Sequence, residues 1–147
     1  MKTSVKFLNT YIVITGTKDE IQTAEIDLAY YNDELEGEML KARQQLIDYT
    51  QHALVKFDLN LKPKGTDFQQ AVWQALSQIP YGETRTYQEI ARLINRPKAV
   101  RAVGQACKRN PIGLIVPCHR VVGIKGLTGY YGGLELKAQI LKFEKER

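Results

Sequence analysis

The chain has 147 residues, 44% of them hydrophobic, and a formal net charge of +5. That length suits one domain or two small packed ones, and no apolar run approaches the ~20 residues of a membrane span. Met1-Lys2-Thr3-Ser4-Val5 has no signal-peptide core. The two cysteines, Cys107 and Cys118, lack framework spacing and read as reduced thiols of a cytoplasmic protein. With no Cys/His cluster, neither a metal nor another cofactor is expected.

In chain order, Val5 to Thr15 is rich in β-branched and aromatic residues and reads as a strand. Gly16-Thr17-Lys18-Asp19 turns it toward a second strand near Ile21 to Ala29. Tyr30 to Gly37 is polar and loop-like. Glu38 to Leu54 places Leu40, Ile47 and Leu54, with Met39 and Leu46, at helical spacing. These elements form a small α/β domain over residues 1–55. Residues 56–66, with Lys62-Pro63-Lys64-Gly65, form a connector.

Residues 67–147 are a second domain. Thr66-Asp67-Phe68-Gln69 is a capping box, followed by Phe68, Val72, Leu76 and Ile79 on one helical face with Trp73 beside it. Pro80-Tyr81-Gly82-Glu83 ends that helix. Thr86-Tyr87-Gln88-Glu89 caps a second helix, with Ile90, Ala91, Leu93 and Ile94 inward. Asn95-Arg96 breaks it, and Pro97 suits the first turn of a third helix. That helix buries Ala99, Val103, Ala106 and Cys107 and turns Arg101, Gln105 and Lys108 outward. Asn110-Pro111 closes it, Asn110 serving as its C-cap. Ile112 to Val116 reads as an apolar strand. Val121-Val122, Gly123-Ile124-Lys125-Gly126 and Leu127-Thr128 form a glycine-bent hairpin, and Leu134 to Glu146 an amphipathic helix. Two short helices joined by a turn, then a hairpin, predict a winged helix-turn-helix.

Charge and chemistry coincide in this half. Residues 1–66 carry eight Lys/Arg against ten Asp/Glu, whereas residues 67–147 carry thirteen against six. A concentrated positive field fits a polyanionic partner, most simply nucleic acid. Within it lies Pro117-Cys118-His119-Arg120. A thiol is a strong nucleophile as its thiolate, and a neighbouring base or positive charge favours that form. Cys107 sits on a buried helical face with no basic neighbour there and reads as structural.

Arg101-Ala102-Val103-Gly104, Asn110-Pro111, Pro117-Cys118-His119-Arg120-Val121-Val122 and Gly132-Gly133 together resemble the O6-alkylguanine-DNA alkyltransferases, also called methylated-DNA–protein-cysteine methyltransferases. The similarity runs from about Phe68 to Glu144. For residues 1–55 the resemblance implies the family's variable N-terminal α/β domain, of RNase H-like type. It further implies a monomer that acts on double-stranded DNA containing O6-alkylguanine, away from membranes. O4-alkylthymine activity and cooperativity on DNA stay open.

By this resemblance Cys118 accepts the alkyl group irreversibly, once per molecule. His119 takes the thiol proton and Glu144 orients the imidazole. Asn110 braces the turn before the cysteine, and Tyr87 donates its phenolic proton to the base. Arg101 fills the space left by the extruded nucleotide. Ala102 and Gly104 allow close approach to the minor groove, and Gln88, Arg96 and Lys98 contact the strands. Tyr130 and Val121 line the base pocket. Tyr131 stands where many relatives carry a small residue and would narrow the pocket mouth. Without the resemblance, Glu144 would read as a solvated charge and Tyr87 as a packing residue. Two other functions compete: a lesion-binding module without chemistry, which Cys118 argues against, and a cysteine hydrolase, for which no carbonyl site is found. The cysteine-rich domain of regulatory family members is not seen.

Overall fold

A computed structural model describes residues 1–127, 130 and 133–146. Two compact units emerge, one of Met1–Lys64 with Pro111–Ile115, the other of Gly65–Asn110 with Val116–Arg147. Each has its own helices and a small sheet.

In the first unit, β1 (Lys2–Phe7), β2 (Thr10–Gly16) and β3 (Ile21–Asp27) form an antiparallel sheet in that order. The single strand expected over Val5 to Thr15 is thus a hairpin. It pivots at Leu8-Asn9, with Leu8 at φ 53°. Leucine rarely adopts left-handed backbone, so no residue in the run announces the turn. Helix α1 (Gly37–Thr50) packs on β1 and β2 through Met39, Ala42, Leu46 and Tyr49. Leu40, expected inward, is exposed. The helix stops short of Leu54, and His52 beyond it takes φ 58°.

The connector does not stand apart. Ile21 donates its N–H to the Asn60 carbonyl and Lys62 donates to that of Ile21, both at 2.8 Å, so this stretch runs alongside β3. The apolar run from Ile112 is likewise no strand of the second domain. Ala24 donates to the Pro111 carbonyl (2.9 Å), Gly113 donates to that of Ala24 (2.8 Å), and Leu114 turns away at φ 68°. Residues 111–115 therefore satisfy backbone groups of β3, which hydrophobic patterning cannot reveal.

The second unit opens with α2 (Asp67–Leu76), whose capping box joins Thr66 and Gln69. It buries Val72, Trp73 and Leu76, and the Trp73 indole donates to the Ala106 carbonyl at 2.9 Å. Strand β4 (Arg85–Thr86) leads directly into α3 (Tyr87–Leu93), capped reciprocally by Thr86 and Glu89. Ile90 and Ala91 are buried there, but Leu93, expected inward, is 62% exposed. Asn95, at φ 60°, turns the chain toward α4 (Val100–Lys108). Ala99 is the N-cap, so Pro97 lies in the turn before α4 rather than in its first turn.

After a 3-10 turn at Cys118–Arg120, β5 (Val121–Val122) pairs in parallel with β4. Gly123 and Gly126 then exchange backbone hydrogen bonds of 2.8 and 3.1 Å, leaving Ile124 exposed at a tight tip. Thr128, at the end of the expected hairpin, lies outside the described residues. Helix α5 (Leu134–Lys145) closes the unit. It buries Lys137, Ile140 and Glu144, a stripe at i, i+3 and i+7.

Candidate active site

The β4–β5 pairing brings two sequence-distant points together. Register sets Arg85 opposite Val121 and Thr86 opposite Val122. The N-terminus of α3, with Tyr87, is thereby placed next to the Cys118–Arg120 turn. Cys118 and His119 are 3% and 0% exposed.

Three hydrogen bonds hold the thiol's segment. The Cys118 N–H donates to the Val116 carbonyl at 2.8 Å. Asn110 donates its side-chain N–H to the same carbonyl at 2.8 Å, and its amide also hydrogen-bonds the Cys118 thiol. Asn110 thus braces the turn through its side chain. The C-cap of α4 is Arg109, not Asn110, and Asn110 has no left-handed backbone. Burial pushes the Cys118 thiol up, while the Asn110 hydrogen bond and the Lys137 charge pull it back. Burial pushes Cys107 up to about 12, so that thiol stays protonated.

Behind the cysteine lies a buried charge cluster. The His119 Nε2 and Glu144 Oε2 are 2.9 Å apart. Arg120 donates from Nε and a terminal nitrogen to the two Glu144 oxygens at 2.8 and 2.9 Å, and from the other nitrogen to the Ile79 carbonyl at 2.8 Å. The Glu144 carboxylate thus takes part in these three hydrogen bonds while only 2% exposed. Burial alone would raise its pKa, but the hydrogen bonds and charges of His119 and Arg120 together hold it well below the usual carboxylate range. Burial lowers the His119 pKa against the pull of Glu144, so the imidazole is neutral near pH 7. An ionised carboxylate only accepts. Nε2 therefore carries the imidazole proton and Nδ1 the lone pair. Among the described residues, Nδ1 has no hydrogen-bond partner. The arrangement is an oriented base with its accepting nitrogen open.

Sequence reasoning assigned the Arg120 charge to the thiol, whereas the guanidinium is spent on Glu144 and Ile79. It also missed Lys137, which is 0% exposed. The signal was its place on one α5 stripe with Ile140 and Glu144. The Lys137 ammonium lies 5.8 Å from the Tyr87 ring centroid. Gly104 adjoins that ring too, since a Cβ there would come within 3.9 Å of Tyr87 Cε1.

The other expected contacts lie on α3, on α4 and in the turn between them. Arg96, Lys98, Arg101 and Ala102 are exposed, and Gln88 and Gly104 half-buried. Val121 is fully buried and Tyr130 half-buried. Tyr131 lies outside the described residues. No group of three or more metal-ligating side chains occurs among the described residues.

Residues 67–146 match the model of the 6-O-methylguanine DNA methyltransferase, DNA binding domain. A methylated-DNA–protein-cysteine methyltransferase of Methanosarcina barkeri is 58% identical over 106 residues, covering 71% of this chain and 67% of its own. One from Mycobacterium tuberculosis is 48% identical over 136 residues, 92% of this chain and 82% of its own. Among solved structures, the O6-methylguanine methyltransferase of M. tuberculosis superposes with a TM-score of 0.88 at 41% identity, covering 99% of this chain and 93% of its own. The same organism's protein in complex with DNA gives 0.87 at 40% identity, covering 99% and 92%.

Proposed function

The chain belongs to the methylated-DNA–protein-cysteine methyltransferase family, and from that premise we propose that Cys118 is the atom on which its repair chemistry ends. The protein is a DNA repair alkyltransferase. We assign its substrate as O6-alkylguanine in duplex DNA, whose alkyl group moves to the Cys118 sulfur. The observation that carries this reading is the open Nδ1 of His119, on a ring oriented by Glu144 and next in sequence to a buried thiol.

The step follows from the residues. His119 Nδ1 takes the proton of Cys118, through a water where the gap requires one. The thiolate attacks the saturated carbon in line, and the C–O bond breaks toward guanine. Guanine leaves poorly as an anion, so Tyr87 donates a hydrogen bond and then its proton to the ring. The product is a thioether, which water does not cleave, so each molecule acts once.

The target carbon lies inside a base stack, and the nucleotide must be extruded. Helices α3 and α4 act as a helix-turn-helix, with the Gly123–Gly126 tip as a short wing. The three strands and α1 of the first unit are read as a reduced RNase H-like domain. Arg101, exposed on α4, fills the vacated space, being long, planar and always charged. Arg101→Ala is expected to slow transfer from duplex about tenfold or more, because extrusion costs a few kcal/mol. Transfer from the free methylated base should stay unchanged, and an equal loss on both substrates would remove the extrusion role.

The direct test mixes the protein with duplex carrying O6-methylguanine and measures intact mass. One added methyl per chain, mapped to Cys118, is expected. Unmodified, folded protein beside intact lesion overturns the proposal.

A further inference from the structure

Trp73 is the chain's one tryptophan, and no step above uses it. It lies on α2 and is buried. A buried indole N–H needs an acceptor. Here the acceptor is the Ala106 carbonyl, in the last turn of α4, at 2.9 Å. That turn is built without the usual stop. Neither Arg109 nor Asn110 takes left-handed backbone, so no glycine-type cap meets the last carbonyls. The chain tightens instead. Arg109 donates to the Gln105 and Ala106 carbonyls at 3.1 and 3.2 Å, and Asn110 to that of Cys107 at 3.3 Å. The indole gives the shortest of these bonds, and it comes from another helix. The ring is also held at its far edge, since a Cβ on Gly65 would overlap the outer atoms of its six-membered part.

The turn held in this way leads straight to Asn110. Its side chain donates to the Val116 carbonyl at 2.8 Å, the same carbonyl that takes the Cys118 N–H at 2.8 Å. We propose that Trp73 is a positioning residue for methyl transfer: by holding Ala106 it sets the pitch of the last turn of α4, and so the point from which Asn110 reaches the cysteine turn. This rests on Cys118 being the acceptor. Ala106 stands about one helical turn before Asn110, so a change of pitch at the carbonyl moves the amide that braces the thiol's segment. In-line attack at a saturated carbon is sensitive to such a change, because misplacement by about 1 Å can slow a reaction about a hundredfold. The other end of α4 is secured separately. Val103 is fully buried there, beside the exposed Arg101. Loss of the indole bond therefore disturbs the acceptor and spares the DNA-facing half of the helix.

Trp73→Phe keeps an aromatic ring against Gly65 and removes the N–H. At saturating lesion-bearing duplex its rate of methyl transfer should fall about tenfold, while affinity for undamaged duplex stays within about twofold. Asn110→Ala should slow transfer as well. The double variant should be no slower than Asn110→Ala alone, because Trp73 acts through Asn110. A residue that merely fills the core would show rate losses that multiply. That result, or a Trp73→Phe variant that transfers at the original rate, overturns the proposal. The unaltered protein supplies a second measurement should Trp73→Phe not fold. Methylation of Cys118 displaces Asn110 and with it the last turn of α4, so the emission maximum of Trp73 should shift on repair. Methylated protein with the emission spectrum of the unreacted form overturns the proposal too. Failure of Cys118 as acceptor would show separately, as unaltered protein that takes no methyl from lesion-bearing duplex.

Discussion

Glu144→Ala is expected to cost the fold about 3–5 kcal/mol and to slow methyl transfer about 10²–10⁴-fold. Both effects come from one carboxylate. Its two oxygens receive Arg120 and His119 in a site closed to water. Removing it leaves a buried guanidinium with no carboxylate beside it, held by the Ile79 carbonyl and the Tyr81 ring. It also frees the imidazole to rotate and to place its proton on either nitrogen, so Nδ1 is no longer held as the acceptor. Glu144→Gln keeps the shape but turns an amide N–H toward groups that donate. It should recover part of the stability and little of the rate. Denaturant unfolding and transfer at saturating DNA measure the two losses. A variant that loses stability but transfers at the original rate would show the carboxylate to be only structural.

The same cluster sets the response to acid. Glu144 has a lowered folded pKa, so its stabilisation is complete above the unfolded carboxylate value of about 4.3 and is lost as pH falls below it. His119 is also lowered in the fold, so the unfolded chain takes up a proton first, below about pH 6.5. Both groups therefore make the protein less stable as pH drops, His119 beginning at higher pH than Glu144.

How much of this could be read from sequence depends on where each signal lives. Capping boxes are local, and both stand where Thr66-Gln69 and Thr86-Glu89 predict them. The Cys118-His119 pair is adjacent in the chain and needed no fold to be noticed. The hairpin at Leu8-Asn9 escaped because its left-handed residue is a leucine. The Ile112 run escaped because its partner, Ala24, is far away in sequence. Lys137 and Arg120 escaped for a related reason. A cation's partner is set by which helix packs over it, and neither Glu144 over Arg120 nor Tyr87 beside Lys137 is legible from spacing. Glu144 itself was reached through resemblance, since its own surroundings, Lys142-Phe143-Glu144-Lys145-Glu146, describe a solvated helix end.

Cys118→Ser and S-methylation of Cys118 should have different consequences for the fold, although both end repair. Serine in place of the thiol is expected to cut transfer by about 10⁴ or more, since a hydroxyl beside a neutral imidazole is a far weaker nucleophile at saturated carbon. Duplex affinity should stay within about twofold, because contacts on the basic outer face go mainly to phosphates. Serine is smaller than cysteine and can keep a hydrogen bond to Asn110, so stability should change little. The methyl thioether is different. It adds volume at a sulfur that is 3% exposed, where overpacking costs about 1–3 kcal/mol. It also displaces the Asn110 amide, which ties α4 to the cysteine turn through the Val116 carbonyl. Thermal unfolding of the repaired protein should therefore fall by roughly 2–12 °C relative to the unreacted form, taking 2–4 °C per kcal/mol for a chain of this size. The sulfur that accepts the methyl is also a packing atom of the junction Asn110 braces. A methylated protein with an unchanged melting point would mean that the junction absorbs the group freely, and that Asn110 does not couple repair to the stability of the fold.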